Sequence, residues 1–308
     1  MKMKTGMILT VLPLAMSLTG CGGGGGGSSS ATLGGFTSFS SATRGSPISL
    51  DGMSSETAYT YNTTTKKITG LGAQSAVADG ATANITYNSA GQATTAQLVS
   101  ANRTTLSFNA ANGDTFGNLI INPSIDAVVS ANHQNYVLLA NPYDFGWDYQ
   151  TFGTWVTGAG TGSGTVGMIS AGSLTAAGSI PTTGTATYTG VTGGRYAAAN
   201  GDDYFTGSAL SANVNFAART LAVSSTGTQV TRDLLAVSNN ANLNFTGNLA
   251  YNAGSNQFTG NIATTGGLNG TMTGKFYGPA AQEIGGIFSA RANAGLPESY
   301  AGAFGAKR

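Results

Sequence analysis

The sequence predicts an all-β protein in which an antiparallel β domain precedes an eight-stranded, water-soluble antiparallel β-barrel. Apolar and polar residues alternate with a period of two along many stretches of the second half, as in strands with one buried face. The 47 Gly, with Asn and Ser, separate short runs rich in Thr, Val and Tyr, which is typical of strands joined by tight turns. No amphipathic helical stretch of useful length occurs.

The clearest alternation lies in the last forty or so residues, 268–308, where three strands are predicted. Gly278-Pro279 separates the first from the second, because Pro cannot donate to a strand ladder. Large residues alternate with Gly along the inward row, which suits the cramped interior of a small closed barrel. That row contains Leu268, Gly270, Met272, Gly274 and Phe276, then Ile284, Gly286, Phe288 and Ala290, and finally Tyr300, Gly302, Phe304 and Ala306.

Five earlier stretches bring the predicted barrel to eight strands. Each alternates in the same way, and the outward row consists mainly of Asn, Thr and Ser. A barrel of the outer membrane would turn its apolar row to lipid. Here the Gly-containing apolar row fits a filled interior, so a water-soluble barrel is favoured. The five stretches are Thr185–Val191, Leu210–Phe216, Leu221–Val223, Leu243–Tyr251 and Phe258–Ile262.

The segment Gly274–Phe288, of the form GxFYGPxAxExGGxF, and the terminal FGAKR resemble the end of the transferrin-binding protein B barrel. That family consists of surface lipoproteins whose lobes each pair a β-rich handle with an eight-stranded barrel. The resemblance is close over the last forty residues and looser from Gly184 onward. It implies a handle-like domain over residues 47–178 and a barrel domain over residues 179–308. It also implies capture of a host or environmental protein, or of an iron-containing cofactor, through loops.

The N-terminus is predicted to be a lipoprotein signal peptide, residues 1–20. Lys2 and Lys4 precede an apolar run too short to span a bilayer, and Leu18-Thr19-Gly20-Cys21 resembles a bacterial lipobox. Cys21, the one Cys of the sequence, would then carry the lipid, and radioactive palmitate would label it. The alternative is an ordinary signal peptide cleaved near a Cys. Gly22 after the Cys is typical of lipoproteins sent to the outer membrane of Gram-negative bacteria.

Residues 21–46 are predicted to be the lipidated Cys and a flexible Gly/Ser tether. Without the two leader lysines, 11 basic and 12 acidic residues remain, so no basic surface is available to bind nucleic acid. In residues 47–178, eight strands are predicted from Thr, Tyr, Val and Ile content, with turns at NSAGQ, NAANGD and GAGTGSG. They are Ala58–Asn62, Lys66–Leu71, Ala81–Asn88, Ala93–Val99, Thr104–Asn109, Tyr136–Ala140, Thr151–Thr157 and Gly164–Ile169.

Few residues suggest chemistry, so the sequence predicts a binding protein and not an enzyme. The single His, His133, leaves little basis for a nucleophilic triad, and Asp202-Asp203 is more simply a polar loop. No metal site is predicted. His133 is a candidate axial haem ligand, since one His in an aromatic pocket can hold haem. The alternative is that His133 is a solvated loop residue; apart from haem, no cofactor is predicted.

The densest aromatic cluster is predicted to contain partner-binding residues. The segment Asn141–Tyr149 combines turn residues and acids with Tyr143, Phe145, Trp147 and Tyr149, and exposed rings of this kind anchor partners. The alternative is that these rings pack back onto their own sheet. Phe152 and Trp155 are predicted to lie in the core at the domain junction.

The functional prediction is a monomeric, lipid-anchored outer-membrane protein, exposed on the cell surface, that binds a protein or an iron- or haem-type ligand. A structural or adhesive surface lipoprotein without a soluble ligand is the alternative, and the Thr-, Asn- and Gly-rich exterior supports it equally. A small ligand inside the barrel is disfavoured, because the inward row fills the interior.

Overall fold

The computed structural model describes residues 38–232, 236–292 and 298–308. The predicted signal peptide, Cys21 and the tether up to residue 37 lie outside the described residues. All described residues belong to one compact unit, Leu33–Arg308. None of the helices among them is long and apolar enough to cross a membrane.

The first domain, here called the handle, is one curved antiparallel sheet. Its strand order is β5-β4-β3-β1-β10-β9-β8-β7-β6, and β2 pairs with β1. The helical elements are a short helix, α1, at Pro142–Phe145 and a 3-10 turn at Ala110–Asn112. The strands are β1 (Pro47–Asn62), β2 (Lys67–Leu71), β3 (Ala78–Tyr87), β4 (Ala93–Val99), β5 (Thr105–Asn109), β6 (Thr115–Leu119), β7 (Asn122–Val129), β8 (Tyr136–Ala140), β9 (Gln150–Val156) and β10 (Ser163–Gly172).

The second domain is a closed antiparallel barrel of eight strands with one short extra strand, β14. It closes because β12 pairs with both β11 and β13, while β11 pairs with β19. Short 3-10 turns lie at Ala177–Ser179 and Ala241–Leu243. The strands are β11 (Thr185–Ala197), β12 (Asp203–Asn215), β13 (Thr220–Thr231), β14 (Ser238–Asn239), β15 (Phe245–Tyr251), β16 (Gln257–Thr264), β17 (Asn269–Tyr277), β18 (Glu283–Arg291) and β19 (Ser299–Lys307).

The predicted fold class, an antiparallel β handle followed by an eight-stranded antiparallel barrel, is confirmed, and the inward rows of the barrel lie where the alternation indicated. Phe276, Phe288 and Phe304 are fully buried inside it. The handle was predicted less well. β1 begins eleven residues before the predicted start at Ala58, and β6 and β7 were not predicted.

The handle packs against an outer face of the barrel that was predicted to be polar. On β18 and β19 the outward residues Ile287 and Ala303 are buried against the handle, so the prediction of an Asn, Thr and Ser exterior is wrong there. Glycine makes the close approach possible. A Cβ on Gly285 would lie 2.8 Å from Oε1 of Gln150, and one on Gly193 would lie 3.1 Å from Cε2 of Phe152.

Asp126 gives the handle a pH-dependent stability. It is buried on β7, and its Oδ2 atom has no hydrogen-bond partner among the described residues. Burial, and secondarily the charge of Asp144, raises the pKa of Asp126 to about 7. Below the carboxyl's ordinary pKa both states hold the proton. Between that value and about 7 only the folded state holds it, so stability falls as the pH rises through this window.

We expect Asp126→Asn to make this fall smaller, leaving the share that the buried Glu283, with its pKa also raised to about 7, contributes. The variant is expected to raise the free energy of unfolding near pH 8 by on the order of 2 kcal/mol. Urea unfolding of parent and variant on either side of the window measures the effect. Asp51→Asn, which removes one exposed carboxylate from β1, is the control. If parent and Asp126→Asn showed the same pH dependence, the assignment to Asp126 would be wrong.

Candidate binding site

A cleft of about 380 Å³ lies where the handle meets one end of the barrel. The end of β1, the β7–β8 turn, β9, β11 and β12 contribute to its wall. Aromatic side chains and two guanidinium groups, those of Arg195 and Arg232, form most of the lining. The residues that define this cleft are Tyr59, Tyr61, His133, Tyr136, Arg195 and Phe205.

The aromatic wall follows from the alternation of β1, which turns Tyr59 and Tyr61 to the same side. Tyr59 is buried, and its hydroxyl donates to the carbonyl of Thr157 at 2.8 Å. Burial raises the pKa of the Tyr59 hydroxyl. Tyr61 and Tyr136 are half-buried, so their rings remain accessible from the cleft.

Arg195 on β11 places a positive charge in the cleft, on a side chain that is only 12% exposed. Its guanidinium lies 4.0 Å from the centroid of the Phe205 ring, and it forms an ion pair with Asp203. Burial lowers the pKa of Arg195 to about 10, so the group is still protonated at neutral pH. The stacked and paired geometry suits Arg, whose planar group can satisfy both contacts.

A second ion-pair network lies on the rim of the cleft around Asp202. Lys67 donates to its Oδ1 atom at 3.0 Å and Arg232 at 2.9 Å. The hydrogen bond from Lys67 is the main cause that lowers the pKa of Asp202. The cleft and its rim together contain three cationic side chains, Lys67, Arg195 and Arg232, and two carboxylates, Asp202 and Asp203. These five groups carry a net positive charge. Asp202 and Asp203, which the sequence placed in a polar loop, are therefore both ion-paired.

His133 lines this cleft, although the sequence placed it only in a polar loop. It is exposed in the turn between β7 and β8, with φ of 58°, and its backbone N–H donates to Ser130 O at 2.8 Å. The structure thus brings the candidate haem ligand next to Tyr61 and Tyr136. Among the described residues, no three His, Cys, Asp or Glu side chains form a group that could hold a metal ion.

The aromatic segment Asn141–Tyr149 lies at the opposite end of the domain junction and is packed inward. Trp147 is only 3% exposed, and its ring stacks on Phe145 at 4.3 Å and lies 6.0 Å from Phe152. The expectation of an exposed ring is therefore wrong for Trp147, because the ring fills the interface between handle and barrel. Tyr143, Phe145 and Tyr149 are half-buried, and partner binding by them stays a prediction.

The segment is fixed from both sides. Tyr143 packs edge-on against Phe39 and Tyr87, and the guanidinium of Arg44 lies 3.1 Å from the centroid of its ring. Phe152 lies in the junction core as predicted, with Ile287 and Ala303. Trp155 was predicted there as well, but it belongs to the core inside the handle sheet, next to Ile169.

Glu283 of the barrel holds the backbone of this segment. Its carboxylate accepts hydrogen bonds from the N–H groups of Asp148 at 2.6 Å and Tyr149 at 3.0 Å. The ammonium of Lys307 donates to the carbonyl of Gly146 at 3.0 Å. Burial raises the pKa of Glu283 to about 7 despite these hydrogen bonds. The segment is therefore held in one conformation by the barrel.

The described chain enters at this same end of the junction. The N–H of Phe39 donates to the carbonyl of Asp148 at 2.8 Å. β1 begins at Pro47, a few residues further on, and runs for 16 residues. Near its end, at Tyr59 and Tyr61, it reaches the cleft. A strand of that length spans roughly 50 Å. The cleft and the point of chain entry therefore lie at opposite ends of the junction.

Comparison with known proteins finds a family match for the barrel. Residues 180–308 match the family of C-lobe and N-lobe beta barrels of Tf-binding protein B. The terminal motif predicted this match, and the barrel is transferrin-binding protein B-like. The match covers the barrel and leaves the handle outside it. No curated protein matches the chain.

Several solved structures are similar to the chain at low identity. A mutant of Transferrin Binding Protein B from Haemophilus parasuis is 14% identical, with a TM-score of 0.43, over 86% of this chain and 76% of that one. Transferrin binding protein B from serogroup B Neisseria meningitidis is 17% identical, with a TM-score of 0.40, over 76% of this chain and 53% of that one. A protein described as a surface lipoprotein is 15% identical, with a TM-score of 0.43, over 82% and 98%.

Proposed function

We propose that this chain is a surface lipoprotein of the bacterial outer membrane that captures a protein ligand in the cleft at the handle–barrel junction. The observation that carries the proposal is the lining of the cleft, in which Tyr59, Tyr61 and Tyr136 surround Arg195. Tyr and Arg are over-represented among the residues that dominate binding energy at protein interfaces. The barrel's likeness to those of a transferrin-binding protein supports a binding role for this chain as well.

The charge of the cleft bears on the kind of partner. Lys67, Arg195 and Arg232 outnumber Asp202 and Asp203, so an acidic segment of the partner is favoured by electrostatic complementarity. Half-buried Tyr61 and Tyr136 would receive an apolar or aromatic side chain of that segment. Transferrin is the ligand named for the matching family and is the first probe to use.

The position of the cleft supports an outward-facing site. If Cys21 carries the lipid, the described chain enters the fold at Phe39, on the membrane-facing side. The cleft, roughly 50 Å along β1 from that point, would then face away from the membrane. Membrane attachment thus leaves the proposed site open to a large partner.

Mutation of the cleft tests the proposal. We expect the double variant Tyr61→Ala, Tyr136→Ala to weaken partner capture by at least about thirtyfold, since anchor rings contribute about 2 kcal/mol or more each. Capture of transferrin and of serum proteins by immobilised Ser28–Arg308, which contains the whole compact unit, is the measurement. Tyr149→Ala is the matched control, because Tyr149 is half-buried at the other end of the junction. Loss of capture in the control alone would assign the site to the Asn141–Tyr149 segment.

Haem is a second candidate ligand, favoured by the position of His133 on the rim of an aromatic cleft. One axial His can hold haem iron, and Arg195 or Arg232 would pair with the propionates. Titration of the same fragment with haemin tests this candidate through its Soret absorbance. A haem site requires a shifted Soret band that His133→Ala abolishes; an unshifted band excludes it.

Attachment through Cys21 is the prediction on which the location depends. We expect Cys21→Ser to abolish labelling by radioactive palmitate and to release the protein from the membrane fraction. The reason is that acyl chains provide the membrane affinity, about 0.8 kcal/mol for each buried methylene group. Parent cells fractionated in parallel provide the control. Equal labelling of parent and variant would refute the lipoprotein assignment.

A further inference from the structure

The outer wall of the barrel carries a second concave surface, whose lining residues differ in chemical type from those of the junction cleft. It is a groove of about 730 Å³ over the outer faces of β12, β13, β15, β16 and the start of β17. The handle packs instead on β11, β18 and β19. Inward-facing glycines underlie the groove. A Cβ on Gly260 would lie 2.7 Å from Cα of Leu249, so the wall is drawn in toward the core where only glycine fits.

The lining of this groove is polar and uncharged. Four amide side chains and two hydroxyl side chains line it, and none of its lining residues is ionisable or aromatic. All of these polar residues project from outward positions of the strands. They are Asn213, Ser224, Thr246, Asn248, Asn261 and Asn269.

Two amides at the centre of the groove have no hydrogen-bond partner among the described residues. Asn248 on β15 and Asn261 on β16 are exposed and directly opposite each other in the strand register. No hydrogen bond engages either side chain within the described part of the chain. Neighbouring outward residues do pair, as Thr259 does with Thr273 at 3.0 Å and Thr187 with Asn213 at 2.8 Å. The two central amides are therefore available to a ligand.

The chemistry of the lining selects among ligand classes. Nucleic acids and anionic lipids require Lys or Arg, divalent cations require carboxylates or imidazoles, and protein partners favour aromatic anchors. None of these groups is present in the groove. Each Asn amide instead offers donors and an acceptor at once, and so does each Thr or Ser hydroxyl. Sugar hydroxyl groups have the same dual capacity and no charge.

We propose that this groove binds an uncharged oligosaccharide chain, with Asn248 and Asn261 as its central hydrogen-bonding residues. The neighbouring hydroxyls of Ser224 and Thr246 extend the polar row across the adjacent strands, which lie about 4.8 Å apart. Without an aromatic stacking platform the binding is weak for a single site, and many copies on a cell surface would add their contributions. The site is independent of the protein ligand proposed for the junction cleft.

Saturation-transfer difference NMR tests the proposal with the full chain in lipid nanodiscs and empty nanodiscs as the blank. Maltohexaose, cellohexaose and lacto-N-tetraose are the probes, and a heparin hexasaccharide is the anionic comparison. At least one neutral probe is expected to show saturation transfer. We expect Asn248→Ala, Asn261→Ala to weaken it by about tenfold, the effect of losing two modest hydrogen-bonding groups.

Gln257→Ala is the matched control, because Gln257 is an exposed amide on the same strand as Asn261 but outside the groove. It is expected to bind the neutral probe as the parent does. The proposal would be overturned by no transfer to any neutral probe, by stronger transfer to the heparin fragment, or by equal weakening in the control. Unchanged binding by the double variant would assign the sugar to another surface and would equally overturn it.

Discussion

Phe276→Ala is expected to lower the free energy of unfolding by about 3–5 kcal/mol, as truncation of a buried Phe typically does. The ring is fully buried at the centre of an aromatic cluster inside the barrel. Its centroid lies 5.3 Å from those of Tyr251 and Phe258 and 6.2 Å from that of Phe216. Four rings meet there, three from the strands β15, β16 and β17 and one from the turn that follows β12, so the cavity left by alanine cannot close without moving the barrel wall.

Urea unfolding of the soluble fragment measures this loss. Thr271→Ala is the matched control, because Thr271 is on the same strand but is exposed on the outward row. It is expected to cost about 0.5 kcal/mol or less. A larger loss for Thr271→Ala than for Phe276→Ala would mean that the inward and outward rows of β17 are exchanged. Phe304→Ala, on the inward row of β19, is expected to behave like Phe276→Ala.

The barrel was predictable because each of its strands separates one core-facing row from one outward row. Period-two alternation records that separation directly in the sequence. The alternation did not reveal that the outward rows of β18 and β19 are also buried, against the handle. Ile287 follows the glycine pair and precedes the inward Phe288, and this one break in the alternation was the available signal. Gly285, Ala303 and Gly305 gave no signal, because small residues suit either environment.

The handle was harder to predict because its central strands are covered on both faces. Residues 125–128 of β7 are buried without alternation, since Val128 faces the handle core and Ile125 faces the barrel. The middle of β1 contains Ser54, Ser55 and Thr57, which are buried although they are polar. Hydrogen bonds satisfy them, for example from the Ser55 hydroxyl to Ser75 O at 2.6 Å. Neither the unbroken burial in β7 nor the buried polar residues of β1 match the apolar–polar alternation of a half-buried strand.

The cleft could not be predicted from the sequence, because topology alone assembles it. Tyr61, Tyr136 and Arg195 come from β1, β8 and β11, and each is separated from the next by more than fifty residues. Each is unremarkable alone, since single Tyr and Arg residues are common in strands and loops. The aromatic segment Asn141–Tyr149 drew attention because its rings are close in sequence. That same density lets them pack on one another and on the barrel.

Trp147→Ala separates the two interpretations of that segment. Because Trp147 is 3% exposed and stacks on Phe145 between handle and barrel, we expect a loss of about 3–5 kcal/mol in the free energy of unfolding. For a chain of this size that corresponds to a fall in melting temperature of roughly 10 °C. Capture by the cleft is expected to persist below the new melting temperature, since Tyr61 and Tyr136 lie at the other end of the junction.

Fluorescence of Trp147 in a Trp155→Phe parent provides the second measurement, because both Trp residues otherwise emit. A buried ring predicts blue-shifted emission that acrylamide quenches poorly. The melting temperature of Trp147→Ala is then compared within the same parent, so that the cost of changing Trp155 cancels. Red-shifted, easily quenched emission together with an unchanged melting temperature and a thirtyfold loss of capture would restore Trp147 as a partner anchor. The enclosed stack of Phe145, Trp147 and Phe152 predicts the opposite on all three counts.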